Sequence, residues 1–324
     1  MLTNIQLGVS EKYGQQVAYG FENSGSTGSI AMEYMDGGQF VSAGTTVTRW
    51  YSAPLLGLLA GSEKLIPLFL LNNIRLQFTL DTLANIQSNI TAQQSKITDF
   101  VISNFEVCYN MIDFGHDVER EIIAMNPKIR IKSQSYSTGS QPVASTISGS
   151  VSLVYNQRYA SVKSAYLNIG GSDAAKSASK NMESYDITSN NGDYSFQIGN
   201  VNYPQKALST LNNRSGVLQE LRRSMNTIFG NNVSMAINTL EYAVVSTDVT
   251  SIQIPAKFWV GVCLQKLTIP QKAFFTGIST QNSPITVLIN IGTATSQLHN
   301  VMLILNYDAI IEIDSSTKQC ILIQ

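Results

Sequence analysis

Short segments in which apolar and polar residues alternate recur along most of the chain, and they constrain its fold more than any other feature. Ile74–Leu80 and Ile285–Ile291 alternate with a period of two, as half-buried strands do. Turn residues such as Gly199-Asn200 separate the segments. This pattern predicts an all-β protein built from sandwiches or barrels. The other predicted strands are Phe100–Phe114, Lys128–Gln134, Ser150–Tyr155, Val162–Ile169, Tyr194–Ile198, Leu240–Ser246, Phe258–Leu267 and Val301–Asp314.

Helical patterns are few and lie in the connections between strands. Asp117 is a candidate cap for a helix over Val118–Met125, which Asn126-Pro127 would stop. Ser215 is a candidate cap for a longer helix that runs to Phe229, and Asp173 for a short one that runs to Lys180. The longer helix carries one apolar stripe, which predicts that it docks on a sheet. The stripe consists of Val217, Leu218, Leu221, Met225 and Ile228.

Three features recur in the same order in the two halves of the chain, about 200 residues apart. An Ile-Pro step at Pro67 precedes one predicted strand and then a long one, and Pro270 precedes a similar pair. Two tandem copies of one β unit are the simplest cause, although chance resemblance between amphipathic strands gives the same pattern. The repeat predicts a first unit over residues 1–125, including a bridging helix. The second, larger unit spans 126–324 with a helical insertion near 211–229.

The charge composition favours protein contacts over nucleic-acid contacts. Charged residues make up 13% of the 324 residues, about half of the usual share, and the formal net charge is -1. Strong nucleic-acid binders carry a basic excess, so direct or sequence-specific nucleic-acid binding is not expected. A surface of neutral polar groups is easier to desolvate in an assembly, although a secreted or surface domain has the same composition.

The remaining sequence-wide signals argue against disulfides, membrane spans and a signal peptide. Three widely separated cysteines, Cys108, Cys263 and Cys320, make neither a disulfide framework nor a zinc motif. The most apolar stretch, Ala53–Leu71, is interrupted at Gly61 and is too short to span a bilayer. The first residues have no basic region followed by an apolar run, which predicts folding in the cytoplasm.

One motif resembles a nucleotide site. The segment Gly170–Ser177 nearly matches the phosphate-loop pattern G-x-x-x-x-G-K-[ST], between a predicted strand and a predicted helix. Ala175 stands where the second glycine belongs, and its β-carbon obstructs the tight wrap around a phosphate. An ordinary loop explains the segment better, and we predict no cofactor.

Other catalytic patterns are also incomplete. Hydrolytic triads need a histidine beside a nucleophile and an acid, and the chain has only His116 and His299. Two acidic pairs suit glycosidase chemistry or calcium, but a solvated strand face explains the pairing of Asp308 with Glu312 equally well. These pairs are Glu119 with Glu121 and Asp308 with Glu312. We predict no enzyme, with no catalytic, cofactor-binding or metal-binding residue.

The second half resembles the double jelly-roll major capsid proteins of tailless icosahedral viruses. The resemblance rests on a progression GVxLxK, GxST and YDxxxEI, carried by Gly261–Lys266, Gly277–Thr280 and Tyr307–Ile313. Gln157–Lys163 and Phe196–Gln205 also fit, whereas little before residue 60 does. In its length and in the absence of a signal peptide, the sequence is most similar to family members from lipid-containing Flavobacterium phages.

The resemblance implies a fold and an assembly. Two tandem jelly-roll barrels with a few short helices would stand side by side, and three chains would close into a pseudo-hexagonal capsomer. Such capsomers tile the icosahedral shell of a virion, with an internal membrane beneath it and with minor capsid or penton proteins as further partners. The chain would be made in the host cytoplasm. We hypothesise that Arg222 and Arg223 face a partner subunit, because they lie on the polar face of the longest predicted helix.

The rival interpretation is a carbohydrate-binding or adhesive jelly-roll surface protein. Such a protein would need exposed flat aromatic rings on which sugars stack. The candidates are Trp50-Tyr51 and Phe258-Trp259, and Trp259 lies in a strand-like run that predicts a core position.

Overall fold

The fold is seen in a computed structural model, and within its described residues every strand lies after residue 127. The described residues are 65–71, 74–79, 99, 101–107, 110–144, 147–171, 192–210, 212–225, 246–247, 253–254, 259–266, 275–291 and 299–323. A 3-10 turn covers Leu68–Leu70, helix α1 covers His116–Met125 and helix α2 covers Arg214–Ser224. The strands are β1 (Lys128–Val143), β2 (Gly149–Tyr155), β3 (Val162–Gly171), β4 (Asp193–Ile198), β5 (Val201–Ser209), β6 (Ser246–Thr247), β7 (Gln253–Ile254), β8 (Trp259–Cys263), β9 (Ile285–Ile291), β10 (His299–Asp314) and β11 (Cys320–Ile323).

The strand pairing identifies the topology. Strands β4 and β5 form an antiparallel hairpin, β3 pairs with β8, β2 with β9 and β1 with β10. Strands β1–β5 and β8–β10 therefore form one long antiparallel ribbon folded back on itself. The ribbon wraps into two sheets of order β1-β10-β3-β8 and β2-β9-β4-β5, with the small β6–β7 hairpin in a connection. β11 adds a fifth strand to the first sheet by pairing with β10. The two sets of four strands in this order form a jelly roll, so the all-β prediction is confirmed and the barrel spans β1 to β10.

The two sheets pack face to face around one apolar core. Along β9, Ile285, Val287, Ile289 and Ile291 are buried and their intervening neighbours are half-buried, which is the period-two pattern of a sheet face. The Tyr155 hydroxyl donates to the carbonyl of Val301 at 2.7 Å and so joins the two sheets inside the core. Burial raises the pKa of Tyr155, since the phenolate would lose its solvation.

Helix α2 covers the outer face of the sheet at β3 and β8. Both strands are therefore buried on both faces. Val217, Leu218 and Leu221 of the helix lie in the core, which confirms the predicted docking. Gly261 lies beneath the helix, where a β-carbon would collide with Leu221 and the Ser224 side chain. The helix is shorter than predicted, and Asn213 rather than Ser215 caps it by accepting from the Gly216 amide at 3.1 Å.

A second, smaller core joins the barrel to the first half of the chain. Ile131 of β1 and Ile313 of β10 are buried against Leu70, and Ile123 of α1 packs on the same cluster. The β1–β10 ribbon thus continues past the barrel to contact the preceding half. Helix α1 begins one residue before the predicted cap, because Gly115 is the N-cap and Asp117 lies in the first turn.

Most predicted strands of the second half are confirmed, and three differences have physical causes. Strand β5 escaped prediction because it lacks alternation and contains Pro204. Strand β1 continues to Val143, beyond the apolar alternation, because β10 pairs with it throughout. In the first half, described residues 74–79, 101–107 and 110–114 carry no strand ladder, so the strands predicted there are wrong for these residues. Alternation selects a face, but a strand also needs a hydrogen-bonding partner.

The predicted two-unit organisation depends on residues that the structure does not describe. Residues 1–64 and nearly all of 80–100 lie outside the described ranges, so the first barrel and the boundary at residue 125 remain predictions. The helix predicted over residues 173–180 and most of Leu240–Ser246 also lie outside them.

Candidate functional site

A buried ion pair lies where the barrel end meets the continuing ribbon. The β3–β10 register shifts between Asn306 and Tyr307, which places Lys163 at a bulge. Lys163 Nζ lies 3.1 Å from Asp308 Oδ1, and the two side chains are 2% and 0% exposed. The geometry is that of an ion pair rather than of an aligned hydrogen bond, since Oδ1 accepts no well-directed hydrogen bond. The low-dielectric surroundings strengthen the attraction, so the loss of either partner strongly lowers the free energy of unfolding.

Asp308 also holds a loop against the barrel. Its Oδ2 accepts from the Ser161 hydroxyl at 2.7 Å and from the Phe275 amide at 2.8 Å. Ser161 Oγ accepts in turn from the Gly277 amide at 3.0 Å. A β-carbon on Gly277 would overlap the backbone carbonyl of Val162, so the loop approaches closer than any other residue allows.

Thr280 completes this connection. Its hydroxyl accepts from the Tyr159 amide at 2.9 Å and donates to the Gln157 carbonyl at 3.0 Å. The GxST and YDxxxEI motifs thus meet in space as one polar network that fixes the loop before β9. The Asp308 carboxylate and the Lys163 ammonium pair with each other, so we assign the pair a structural role and call it the Lys163–Asp308 latch.

The continuing ribbon forms what we call the extension: Lys128–Gln134 of β1, Asp308–Asp314 of β10, and β11. β11 pairs with β10 at residues Ile310 to Ile313. Opposite residues of antiparallel strands share a face. One face of the extension therefore packs on the small core. The other, which we call the basic face, carries Lys128, Arg130, Lys132, Ile310, Glu312, Asp314, Ile321 and Ile323.

Glu312 is the centre of the basic face. It accepts from Lys128 Nζ at 2.7 Å and from Arg130 Nε at 2.8 Å. These two hydrogen bonds hold the pKa of Glu312 below its ordinary value. Asp308 and Glu312 share one strand face as predicted, but both are buried, so the solvated-face interpretation is wrong.

Large apolar side chains are exposed on the described part of the first half. Val101 is 83% exposed and Met125 of α1 is 70% exposed. The other exposed large apolar side chains of this region are Leu65, Leu68, Ile74, Leu76, Phe78, Ile102, Phe105, Val107, Met111, Ile112, Phe114 and Val118. Apolar surface on this scale is typical of a protein that buries it against a partner.

The arginines of α2 differ from each other in their environment. Arg223 lies 3.5 Å from Glu220 of its own helix, and Arg222 is exposed. Their contact with a partner subunit remains a prediction.

The structure assigns no chemistry to the other candidate residues that it describes. Among the described residues, no group of three or more histidine, cysteine or acidic side chains could hold a metal ion. His116 is bonded to Glu119 at 3.3 Å. Cys263 is half-buried, which raises the pKa of its thiol, and Cys320 is exposed. In the same part of the chain, no helix is long and apolar enough to cross a membrane.

Several sequence candidates cannot be placed or do not fit a site. The phosphate-loop segment lies outside the described residues beyond Gly171, and His299 is described only in its backbone. Trp259 is 2% exposed and belongs to the core, so it offers no platform for a sugar. The other aromatic candidates, Trp50, Tyr51 and Phe258, lie outside the described ranges.

The Lys163–Asp308 latch was missed by sequence reasoning. Its only signal is a charged residue next to long apolar runs in each of two strands, which predicts buried partners without saying which residues they are.

Comparisons with known proteins give remote structural likeness only. No protein-family model and no curated protein matches the chain. PBCV-1 VP54, fitted into a reconstruction of the virophage Sputnik, is 10% identical with a TM-score of 0.37 over 64% of this chain. A Sputnik virophage chain is 14% identical with a TM-score of 0.34 over 60%, and the mavirus major capsid protein is 8% identical with a TM-score of 0.36 over 62%.

The matches cover 54%, 39% and 42% of those three chains, so this chain corresponds to about half of their length or less. At these TM-scores the jelly-roll assignment rests on the strand pairing within this chain.

Proposed function

We propose that this chain is a major capsid protein that builds an icosahedral shell. The observation that carries the proposal is a complete jelly roll joined, through the small core, to a first half that exposes large apolar side chains. Jelly rolls serve both shells and lectins. Exposed apolar surface favours the shell, because a shell protein buries it against copies of itself.

In the proposed assembly, residues 1–125 form a first jelly roll and three chains close into a ring of six barrels. A closed ring requires a heterologous interface, in which two different surfaces of each chain meet. Such capsomers would tile the virion with minor capsid or penton proteins as partners. An internal membrane beneath the shell and synthesis in the host cytoplasm belong to this proposal, and they rest on the sequence resemblance to family members from lipid-containing Flavobacterium phages alone.

Light scattering coupled to size exclusion tests the proposal. We expect a trimer of the 35.4 kDa chain that forms larger assemblies on concentration. Val101→Asp places a charge on the exposed apolar surface and should reduce trimer formation at least tenfold. Lys206→Asp on exposed strand β5 is the control and should leave the trimer intact. A monomer that binds glycans would contradict the proposal and favour the lectin interpretation.

A further inference from the structure

The two sides of the extension differ in chemistry, and they complement each other. Helix α1 lies on one side, where Ile123 packs against the small core. The basic face lies on the opposite side, because its residues alternate along β1 with half-buried Ile129 and buried Ile131. One chain therefore presents α1 in one direction and the basic face in another.

The outer stripe of α1 is acidic and apolar. Val118, Glu121 and Met125 are spaced by three and four residues, so they form one stripe, and all three are exposed. The helix also carries Asp117 and Glu119 against a single arginine, Arg120.

The basic face has matching chemistry. Ile321 of β11 is 55% exposed and lies opposite Glu312 of β10, and Arg130 of β1 lies opposite the same Glu312 on its other side. Lys128 and Arg130 are 56% and 61% exposed even though they bond Glu312. Arg130 bonds that carboxylate through Nε, and a guanidinium has further N–H donors for a second carboxylate.

We propose that the outer stripe of α1 in one copy docks on the basic face of a neighbouring copy. Apolar Val118 and Met125 then cover Ile321 and Ile323, and Glu121 meets Arg130. The contact joins two different surfaces, so it is heterologous, the type of interface from which a closed ring is built. The inference rests on the proposed shell function and names the contact that builds its trimer. A lipid surface is the weaker occupant, because Glu312 and Asp314 lie within the face and repel anionic headgroups.

Cysteine crosslinking tests this contact in the full chain. In a Cys320→Ser background, Val118→Cys combined with Ile321→Cys should give covalent two-chain and three-chain species on oxidation, and each single cysteine should give none. Crosslinking of Val118→Cys alone indicates a two-fold contact and overturns the proposal. A trimer without crosslinks also overturns it but leaves the shell function standing. A monomer overturns both.

Charge reversal provides an independent readout. Glu121→Lys or Arg130→Glu alone should weaken the trimer about tenfold, and the two together should restore it. A double variant no better than the singles contradicts the pairing, provided that circular dichroism shows each variant folded. Phosphatidylglycerol vesicles test the lipid alternative. Binding by the assembled trimer that Arg130→Glu abolishes would assign the face to a lipid surface and overturn the proposal.

Discussion

Replacing Asp308 with asparagine should destabilise the barrel strongly. Asparagine has the same shape and keeps an acceptor for the Phe275 amide, so the change removes mainly the charge. The Lys163 ammonium, 2% exposed, then loses the carboxylate that lies 3.1 Å away. Breaking a buried pair in this way costs about 3–5 kcal/mol. For a barrel of this size, each kcal/mol lowers Tm by about 2–4 °C, so the expected fall is about 6–20 °C.

A double-mutant cycle measured by urea denaturation separates the pair from general damage. Lys163→Met should cost a similar amount, and the double variant should be more stable than the sum of the two losses predicts by about 1–3 kcal/mol. Lys206→Met, at an exposed lysine of β5, is the matched control and should change stability by no more than about 0.5 kcal/mol. An Asp308→Asn loss below about 1 kcal/mol, or strict additivity in the cycle, refutes the latch.

Three further perturbations test local parts of the structure. Leu221→Ala should lower the free energy of unfolding by about 2–5 kcal/mol, because this side chain of α2 is fully buried against the sheet. Gln219→Ala, at an exposed position of the same helix, should not lower it. Equal effects of the two changes would refute the docking of the helix. Hydrogen bonds from the next turn lower the pKa of Asp314 to about 2, from an ordinary 3.8. The ionised Asp314 therefore stabilises the β10–β11 hairpin above pH 3.8, and this stabilisation is lost as the pH falls through about 2. Amide hydrogen-exchange protection in β11 should drop over that pH range. Asp314→Asn should abolish this dependence on pH. Gly277→Ala should abolish soluble folded protein, because the added β-carbon overlaps the Val162 carbonyl. Ser279→Ala, at an exposed position of the same loop, should not. A normal yield of soluble Gly277→Ala protein would contradict the close approach of this loop to Val162.

Local patterns predicted most second-half strands because their residues carry the information. Ile285–Ile291 alternates without interruption, and the structure ends the strand at the same residues. The strand order was not predictable from these patterns, since the β1–β10 pairing joins residues that are far apart in the sequence. Alternation sets which face is buried and leaves the choice of partner to long-range packing.

The helix caps and the polar network around Asp308 were also not predictable from local sequence patterns alone. Asn213 and Ser215 are both good capping residues, and the choice depends on where the preceding turn ends. Asp308 was recognised as sharing a face with Glu312, but its burial depends on Lys163 at a bulge and on a loop more than thirty residues away along the chain. No pattern within one strand encodes such contacts.

Electron cryomicroscopy of the purified oligomer tests the central claim most directly. If each chain folds as two jelly rolls and three chains close into a ring, the map should show three copies of the 35.4 kDa chain and six barrels in a pseudo-hexagonal outline. One barrel per chain, or a two-fold dimer, would contradict the account.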